Sequence, residues 1–266
     1  MAQRRRLDVE LVRRGFARSR GDADELINTG RVRVGGVVAT KAARQVTGDE
    51  SVAVSEAESE PTYVSRGAKK LLGALAAFDV TVEGRDALDA GASTGGFTDV
   101  LLRRGARRVL AVDVGYGQLA WSLRTDERVV VLERQNVREL SPDILPDPPA
   151  DLVVADLSFI SLRLVLPALR RVTAPEADFL LMVKPQFEVG RERVGSGGVV
   201  RDAETRADAV REVAAAAAAE GLGVAGVAAS PLPGPSGNVE YFLWLRQDAA
   251  GLLEDVLSRA VAEGPQ

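Results

Sequence analysis

Lysine, carboxylate, tyrosine and serine side chains must carry any acid–base chemistry in this chain of 266 residues. The sequence contains no cysteine and no histidine. Disulfides, thiol nucleophiles, zinc sites built on Cys or His and His-based triads are therefore excluded. Asp156, Lys184 and Glu240 stand out, because each ends or begins a strongly apolar run typical of a β-strand. Three such charges at one sheet edge would favour a catalytic site over ordinary solvated charges.

A glycine-rich turn lies between an apolar strand and a helix, in residues 88–99. Glycine lets the backbone bend sharply and approach a ligand closely. A second apolar strand ends at Asp113, whose carboxylate can accept both hydroxyls of a ribose. Together the turn and this acid predict a nucleoside-type cofactor. The predicted contacts with it are Asp89, Gly91, Ser93, Thr94, Gly95, Gly96, Asp113, Asn136 and Asp156.

Other turns of this kind fit the stretch less well. A nicotinamide dinucleotide site uses Gly-x-Gly-x-x-Gly, which Ala92-Ser93 interrupts, and no Gly-x-x-x-x-Gly-Lys phosphate loop is present. S-adenosylmethionine has a ribose and an amino acid but no phosphate, so the sequence Asp-x-Gly-x-Ser-Thr-Gly-Gly suits it better. A plain strand-to-helix turn is the remaining alternative.

Apolar strands alternate with helical segments through the region that holds these residues. This order predicts a parallel, doubly wound α/β sheet, which binds ligands at the carboxyl ends of its strands. Asp156 and Lys184 would then share that edge. If the final strand, residues 239–245, runs antiparallel, its beginning brings Glu240 beside them.

The first 55 residues form a separate, basic module. They carry a net charge of +4, whereas the rest of the chain carries −8. The pattern predicts two short helices, near residues 7–15 and 19–30, followed by a small sheet. Ser19-Arg20, Leu26-Ile27 and Gly48-Asp49 stand as in the S4-type RNA-binding domain, which the module resembles. That resemblance implies RNA phosphate contacts by Arg13, Arg14, Arg18, Arg20, Arg31 and Arg33.

The whole stretch of residues 4–246 resembles the TlyA family. The motifs that carry the resemblance are Ser-Arg-Gly-x-x-Lys-Leu, Asp-x-Gly-x-Ser-Thr-Gly-Gly-Phe-Thr-Asp, Asp-Val-Gly-Tyr-Gly-Gln-Leu, Asp-Leu-Ser-Phe-Ile-Ser-Leu, Val-Lys-Pro-Gln-Phe-Glu and Pro-x-Pro-Gly-Pro-Ser-Gly-Asn-Val-Glu-Tyr. It implies a Rossmann-like, seven-stranded class I methyltransferase fold of the FtsJ-like type. The implied division is an S4-type domain at 1–55, a linker at 56–64 and a methyltransferase domain at 65–266.

The same resemblance implies the reaction and its residues. The expected activity is 2′-O-methylation of cytidine in 16S rRNA, 23S rRNA or both, with S-adenosylmethionine. The family's Lys-Asp-Lys-Glu tetrad corresponds to Lys70, Asp156, Lys184 and Glu240, and the motif spacing selects Lys70 over its neighbour Lys69. Our hypothesis is that Lys184 holds the ribose hydroxyl and acts as, or assists, the base. Phe159, Phe187 and Tyr241 are candidates for contact with an RNA base, although core packing is the commoner role for a single aromatic residue.

The expected partners are rRNA or ribosomal subunits, with no metal and no membrane. A cytoplasmic protein is expected, because there is no signal-peptide pattern and no apolar run of about 20 residues. A non-catalytic RNA-binding or ribosome-assembly protein is one alternative, disfavoured because all four tetrad positions are filled. A membrane-active cytolysin is another, since some relatives have carried a haemolysin label; the alanine-rich helix near 206–220 is mostly small and acid-bearing and does not favour it. The sequence predicts no oligomeric state.

Overall fold

A computed structural model of the chain describes residues 4–28, 30–54, 63–234 and 236–264. These residues form two compact units, residues 4–54 and residues 63–264. Of the predicted linker, residues 56–64, only Tyr63 and Val64 belong to the described residues.

The N-terminal unit combines two helices with short strands, as the sequence predicts. β2 pairs antiparallel with both β3 and β5, and β1 pairs with β4. The pattern does not predict β1 and β4, because strands of two residues are too short to show alternation. Its elements are β1 (Arg5–Arg6), α1 (Leu7–Arg13), α2 (Arg20–Asn28), β2 (Val32–Val34), β3 (Val37–Val38), β4 (Gln45–Val46) and β5 (Val52–Val54).

Glu10 is almost fully buried and holds two arginines at the end of α1. Its carboxylate accepts hydrogen bonds from Arg13 Nη2 at 2.6 Å and from Arg14 Nε at 2.7 Å. These guanidinium groups, Arg13 above all, lower the pKa of Glu10 to about 2 despite its burial. Arg14 also donates to backbone carbonyls in the turn 47–50, at 2.9 to 3.2 Å. It therefore ties α1 to the turn before β5.

The C-terminal unit is built on a seven-stranded sheet in the order β11-β12-β10-β9-β6-β7-β8. Its strands are β6 (Asp86–Ala90), β7 (Arg108–Asp113), β8 (Val129–Glu133), β9 (Ala150–Ala155), β10 (Thr173–Val183), β11 (Gly223–Ala229) and β12 (Tyr241–Arg246). β12 is antiparallel to both neighbours, whereas the other pairs are parallel. The predicted Rossmann-like α/β fold is confirmed. Because β12 is reversed, it begins at the edge where the parallel strands end.

Helices cover both faces of this sheet. They are α3 (Ala68–Ala77), α4 (Gly96–Arg103), α5 (Trp121–Arg124), α6 (Leu166–Arg171), α7 (Pro185–Glu188), α8 (Ala203–Ala219) and α9 (Glu254–Glu263). Alternate residues of β9 point to opposite faces: Val153 and Ala155 join the core with α6, α8 and α9, and Leu152 and Val154 join the core with α3 and α4. Packing on both faces holds the strand ends in place.

Several element bounds differ from the predicted ones by a few residues. The pairing of β10 with β12 stops at Val183 and Tyr241, so Lys184 and Glu240 lie just outside the strands. Asp156 likewise follows the last residue of β9. The alanine-rich helix α8 begins at residue 203 rather than near 206, because the side chain of Asp202 caps it.

Arg14→Ala is expected to destabilise the N-terminal unit by about 1–3 kcal/mol, because the buried Glu10 carboxylate loses a donor. Amide hydrogen exchange of residues 4–54, measured in the full chain, should become faster. Arg18→Ala is the matched control, since it removes the same charge from a side chain that is 97% exposed. Wild-type protection in both variants would contradict the anchoring role of Arg14.

Candidate active site

Four charged side chains form an alternating row at the edge where the parallel strands end. Glu240 Oε2 lies 2.6 Å from Lys70 Nζ, which lies 3.9 Å from Asp156 Oδ2. Asp156 Oδ1 in turn lies 2.6 Å from Lys184 Nζ. These four residues are called the charged row. Each charge in it has an opposite charge within 4 Å, which offsets the cost of burying it.

Each member of the charged row comes from a different element. Lys70 lies on α3, and Asp156 follows β9 directly. Lys184 stands between β10 and α7, where Pro185 occupies the first helical position. Glu240 precedes β12, so the reversed direction of that strand brings it to the same edge. The row therefore depends on the sheet topology.

The surroundings of Glu240 differ in one respect from the predicted ones. Its hydrogen-bond partner is Lys70, which stands between it and Asp156, whereas the expected neighbours were Asp156 and Lys184. Glu240 is fully buried, and a Cβ at Gly234 would lie 2.6 Å from its Oε1. The tight packing around Glu240 therefore requires glycine at that position.

A cavity of about 510 Å³ opens beside Asp156. This volume is in the range of small-molecule sites in proteins. Five of the predicted cofactor contacts line it: Gly91, Ser93, Asp113, Asn136 and Asp156. The cavity therefore joins the glycine-rich turn to the charged row, and Asp156 belongs to both.

The turn at Gly91 and the carboxylate of Asp113 shape one wall of this cavity. Gly91 has φ +88°, and a Cβ there would lie 2.8 Å from the backbone oxygen of Asp156, so only glycine fits. Asp113 Oδ2 accepts the N–H of Ser93 at 2.8 Å, and Oδ1 accepts that of Gly115 at 2.6 Å. These bonds fix the carboxylate, and each oxygen keeps a further lone pair for a ligand.

Four other predicted contacts do not line the cavity. Asp89 is fully buried, where it accepts a hydrogen bond from Thr98 Oγ1 at 2.7 Å. Gly95, with φ +99°, and Gly96 have no room for a Cβ, because neighbouring side chains pack against them. The carbonyl of Thr94, in the turn, accepts a hydrogen bond of 3.2 Å from the backbone N–H of Ala120. In the structure these residues therefore build the turn rather than the cavity wall.

Two polar residues of the cavity, Gln118 and Ser158, are not among the predicted contacts. Gln118 lies 3.3 Å from Ser93 Oγ, and Ser158 accepts a hydrogen bond from Lys184 Nζ at 2.9 Å. Both stand within motifs that were recognised, Asp-Val-Gly-Tyr-Gly-Gln-Leu and Asp-Leu-Ser-Phe-Ile-Ser-Leu. The motifs were the available signal, but spacing alone does not show which of their polar side chains face a ligand.

The three candidate aromatic residues have different environments. Phe159 is 90% exposed with φ +64°, and its ring centroid lies 5.2 Å from that of Phe187. Tyr241 is fully buried in the core, because it is the first residue of a central strand. Contact of Tyr241 with an RNA base, one of the two roles considered, is therefore wrong.

Three of the arginines predicted to contact RNA are bound to buried carboxylates of α1. Arg13 and Arg14 share Glu10, and Arg20 Nη2 lies 2.8 Å from Asp8. The side chains of Arg13 and Arg20 remain at least half exposed, whereas that of Arg14 is 19% exposed. Arg14 thus has mainly an internal role.

The other three arginines differ in their exposure. The side chain of Arg18 is almost fully exposed and lies 3.7 Å from Asp22. Arg33 is exposed and donates to the backbone oxygen of Gly36 at 3.0 Å, and Arg31 is half-buried. Arg18 is therefore the clearest candidate for a phosphate contact among the six.

Comparison with known proteins gives two family matches and several relatives. The FtsJ-like methyltransferase family matches residues 63–247, and the S4 domain matches residues 5–52. A 16S/23S rRNA (cytidine-2′-O)-methyltransferase, TlyA, of Mycobacterium tuberculosis is 58% identical over 100% of both chains. A candidate rRNA methyltransferase, YqxC, of Bacillus subtilis is 42% identical over 98% of this chain and 94% of its own. The solved structure of a candidate hemolysin from Streptococcus thermophilus superposes with a TM-score of 0.74, at 36% identity over 99% of this chain and 96% of the other.

Asp89→Asn is expected to change how stability depends on pH. Burial raises the pKa of the Asp89 carboxyl to about 7 from its ordinary 3.8. Between pH 3.8 and about pH 7 this carboxyl is protonated in the folded protein and ionised in the unfolded chain. The free energy of unfolding therefore falls as pH rises, by up to about 1.4 kcal/mol per pH unit. Asparagine cannot ionise, so the variant's free energy of unfolding in urea denaturation should rise relative to that of the wild type from about pH 4 to pH 7, between the two pKa values, and level off above this interval. A difference in unfolding free energy that is independent of pH would refute the raised pKa.

Proposed function

The chain belongs to the TlyA family of FtsJ-like methyltransferases, and on this premise we propose that it methylates the 2′-hydroxyl of cytidine in rRNA, with S-adenosylmethionine as methyl donor. The proposed substrate is the one in the name of the Mycobacterium tuberculosis relative, 16S and 23S rRNA. That relative is similar to this chain over its whole length. The observation that carries the proposal for the site is the charged row beside the cavity, with Asp156 in both. We propose the row as the catalytic site.

The side chains of the cavity fit S-adenosylmethionine, which supplies the methyl group when bound. Asp113 is held by two backbone N–H groups and keeps lone pairs for the hydroxyls of a ribose. Gly91 leaves room for close approach to the backbone. We assign cofactor binding to these two residues together with Ser93, Asn136 and Asp156. We assign a supporting role to the other four predicted contacts, which hold the glycine-rich turn in place and do not line the cavity: Asp89, Thr94, Gly95 and Gly96.

Lys184 is the group proposed to act on the ribose hydroxyl. A 2′-hydroxyl is a weak acid, so its oxygen must be oriented and relieved of its proton during the reaction. The Nζ of Lys184 lies at the end of the charged row, bound to Asp156, and can hold this oxygen and take its proton. Lys70 lies 3.9 Å from Asp156 and is itself paired with Glu240. Correct placement of a reacting pair can itself contribute about 7–11 kcal/mol.

The N-terminal unit is proposed to bind rRNA. Its support is the S4 match over residues 5–52 and the exposed arginines, Arg18 above all, while Arg13, Arg20, Arg31 and Arg33 remain further candidates. The proposed domains are an RNA-binding domain at 1–55, a linker at 56–64 and a methyltransferase domain at 65–266. An rRNA substrate favours a cytoplasmic location and a ribosomal subunit as partner.

The hemolysin name of the Streptococcus thermophilus relative raises membrane activity as an alternative. No observation on the described residues favours it. In the part of the chain that the structure describes, none of the helices has both the length and the apolar character needed to span a bilayer. All four positions of the charged row are filled, which favours a catalytic protein over one that only binds RNA.

Lys184→Ala is expected to lower the rate of methyl transfer by about 10²- to 10⁴-fold, because the ribose hydroxyl loses its base. Single-turnover transfer to ribosomal subunits and calorimetric binding of S-adenosylmethionine should be measured together. Lys69→Ala is the control, since it removes the same charge from the exposed neighbour of Lys70. Equal loss of transfer and cofactor binding in Lys184→Ala would make Lys184 structural rather than catalytic.

Arg18→Ala is expected to weaken rRNA binding and to reduce its dependence on salt. Each lost phosphate contact lowers the slope of log affinity against log salt by about 0.7–0.9. Binding should be measured by filter retention at several salt concentrations, with Arg259→Ala as control, because this exposed arginine of α9 carries the same charge. An unchanged slope for Arg18→Ala would exclude Arg18 as a phosphate contact.

A further inference from the structure

The loop after β9 brings a second polar group to Lys184. The Nζ of Lys184 donates a hydrogen bond of 2.9 Å to Ser158 Oγ. Ser158 is exposed and also lines the cavity proposed for the cofactor. One hydroxyl group is thus close to both the cavity and the lysine.

Glu188, the last residue of α7, fixes this loop to the segment that carries Lys184. Its buried carboxylate accepts hydrogen bonds from Ser161 Oγ at 2.5 Å and from the backbone N–H of Leu162 at 2.8 Å. At the other end of the loop, Asp156 binds Lys184 directly. The loop is therefore held on both sides of Ser158, which gives its hydroxyl a defined position.

The contacts of Lys184 suggest why that position matters. A lysine nitrogen has three tetrahedral positions, of which Ser158 occupies one through its hydrogen bond, while Asp156 Oδ1 lies 2.6 Å away as an ion pair. In the neutral amine one N–H bond points to Ser158 and the carboxylate of Asp156 attracts the other, so the lone pair takes the third position.

We propose that Ser158 is a positioning residue, which together with Asp156 fixes the rotation of Lys184 Nζ and directs its third position to the ribose hydroxyl. The hydroxyl proton passes to the lone pair there and converts the amine to the ammonium. This proposal rests on the catalytic role proposed for Lys184. The cofactor is not needed to set the rotation, because both groups belong to the protein.

Ser158→Ala lowers the single-turnover rate about 3- to 10-fold, because the amine can then rotate among three positions and its lone pair is aligned for only part of the time. The charged groups that face Lys184, Asp156 directly and Lys70 and Glu240 behind it, are unchanged.

The test is single-turnover methyl transfer to purified ribosomal subunits at saturating S-adenosylmethionine, with cofactor binding measured separately by calorimetry. The variants are Ser158→Ala and Ser158→Thr, which keeps a hydroxyl, and the control is Ser258→Ala, at an exposed serine of α9. We expect a slower rate with unchanged cofactor binding for Ser158→Ala, and the wild-type rate for Ser158→Thr and Ser258→Ala.

Three results would overturn the proposal. One is a wild-type rate in Ser158→Ala; another is an equal loss of rate in Ser158→Thr; the third is a loss in Ser158→Ala that reflects only weaker cofactor binding. Lys184→Ala, measured in parallel, separates the two proposals. If it transfers methyl at the wild-type rate, the role of Lys184 itself is wrong; if it is inactive while Ser158→Ala is normal, only the role of Ser158 is wrong.

Discussion

The carboxylate of Asp156, placed between two lysines, is the interaction on which the rest of the site depends. Charges in a largely buried site cost several kcal/mol each unless they are paired. Lys184 binds one oxygen of Asp156, Lys70 lies near the other, and Glu240 completes the pairing of Lys70. The pairing is possible only where one helix and three strands bring their ends together. A sheet in which β12 ran parallel would place Glu240 at the opposite edge and leave Lys70 with half its partners.

Asp156 also links the charged row to the cavity proposed for the cofactor. Its side chain lines the cavity, and its backbone oxygen packs against Gly91 so closely that a side chain there would clash. Asp156 therefore lies between the glycine-rich turn and the charged row and contacts both. In a methyl transfer this arrangement brings donor and acceptor together, and their alignment can supply as much of the rate as proton transfer does.

The sequence predicted well which strand ends meet at the site, because apolar runs that end in a charge mark the carboxyl ends of parallel strands. Lys70 was a different case: helical periodicity did not separate it from Lys69, and only the motif spacing did. Packing decided what the sequence could not show. Gly95 and Gly96 resemble ligand-binding glycines but are required by close contacts of the turn, and Asp89 is buried within the fold.

The same limit applies to charged and polar side chains whose partners are distant in sequence. Arg14 belongs to a basic stretch that predicts RNA contact, yet its guanidinium is bound to Glu10 and to a turn more than 30 residues away. Ser158 has no periodicity or charge that marks it, and its importance emerges only when the ends of β9 and β10 are seen side by side. Such pairings are set by tertiary structure.

The most direct test of the account is to locate the methyl group that the protein transfers. Purified small and large ribosomal subunits would be incubated with the protein and methyl-labelled S-adenosylmethionine, and the rRNA then hydrolysed with alkali. Alkaline cleavage needs a free 2′-hydroxyl, so a 2′-O-methylated cytidine remains in a labelled, alkali-resistant dinucleotide. The account predicts this product from at least one subunit. Label recovered in mononucleotides, on the base, would contradict it, because the charged row would then not act on a ribose hydroxyl.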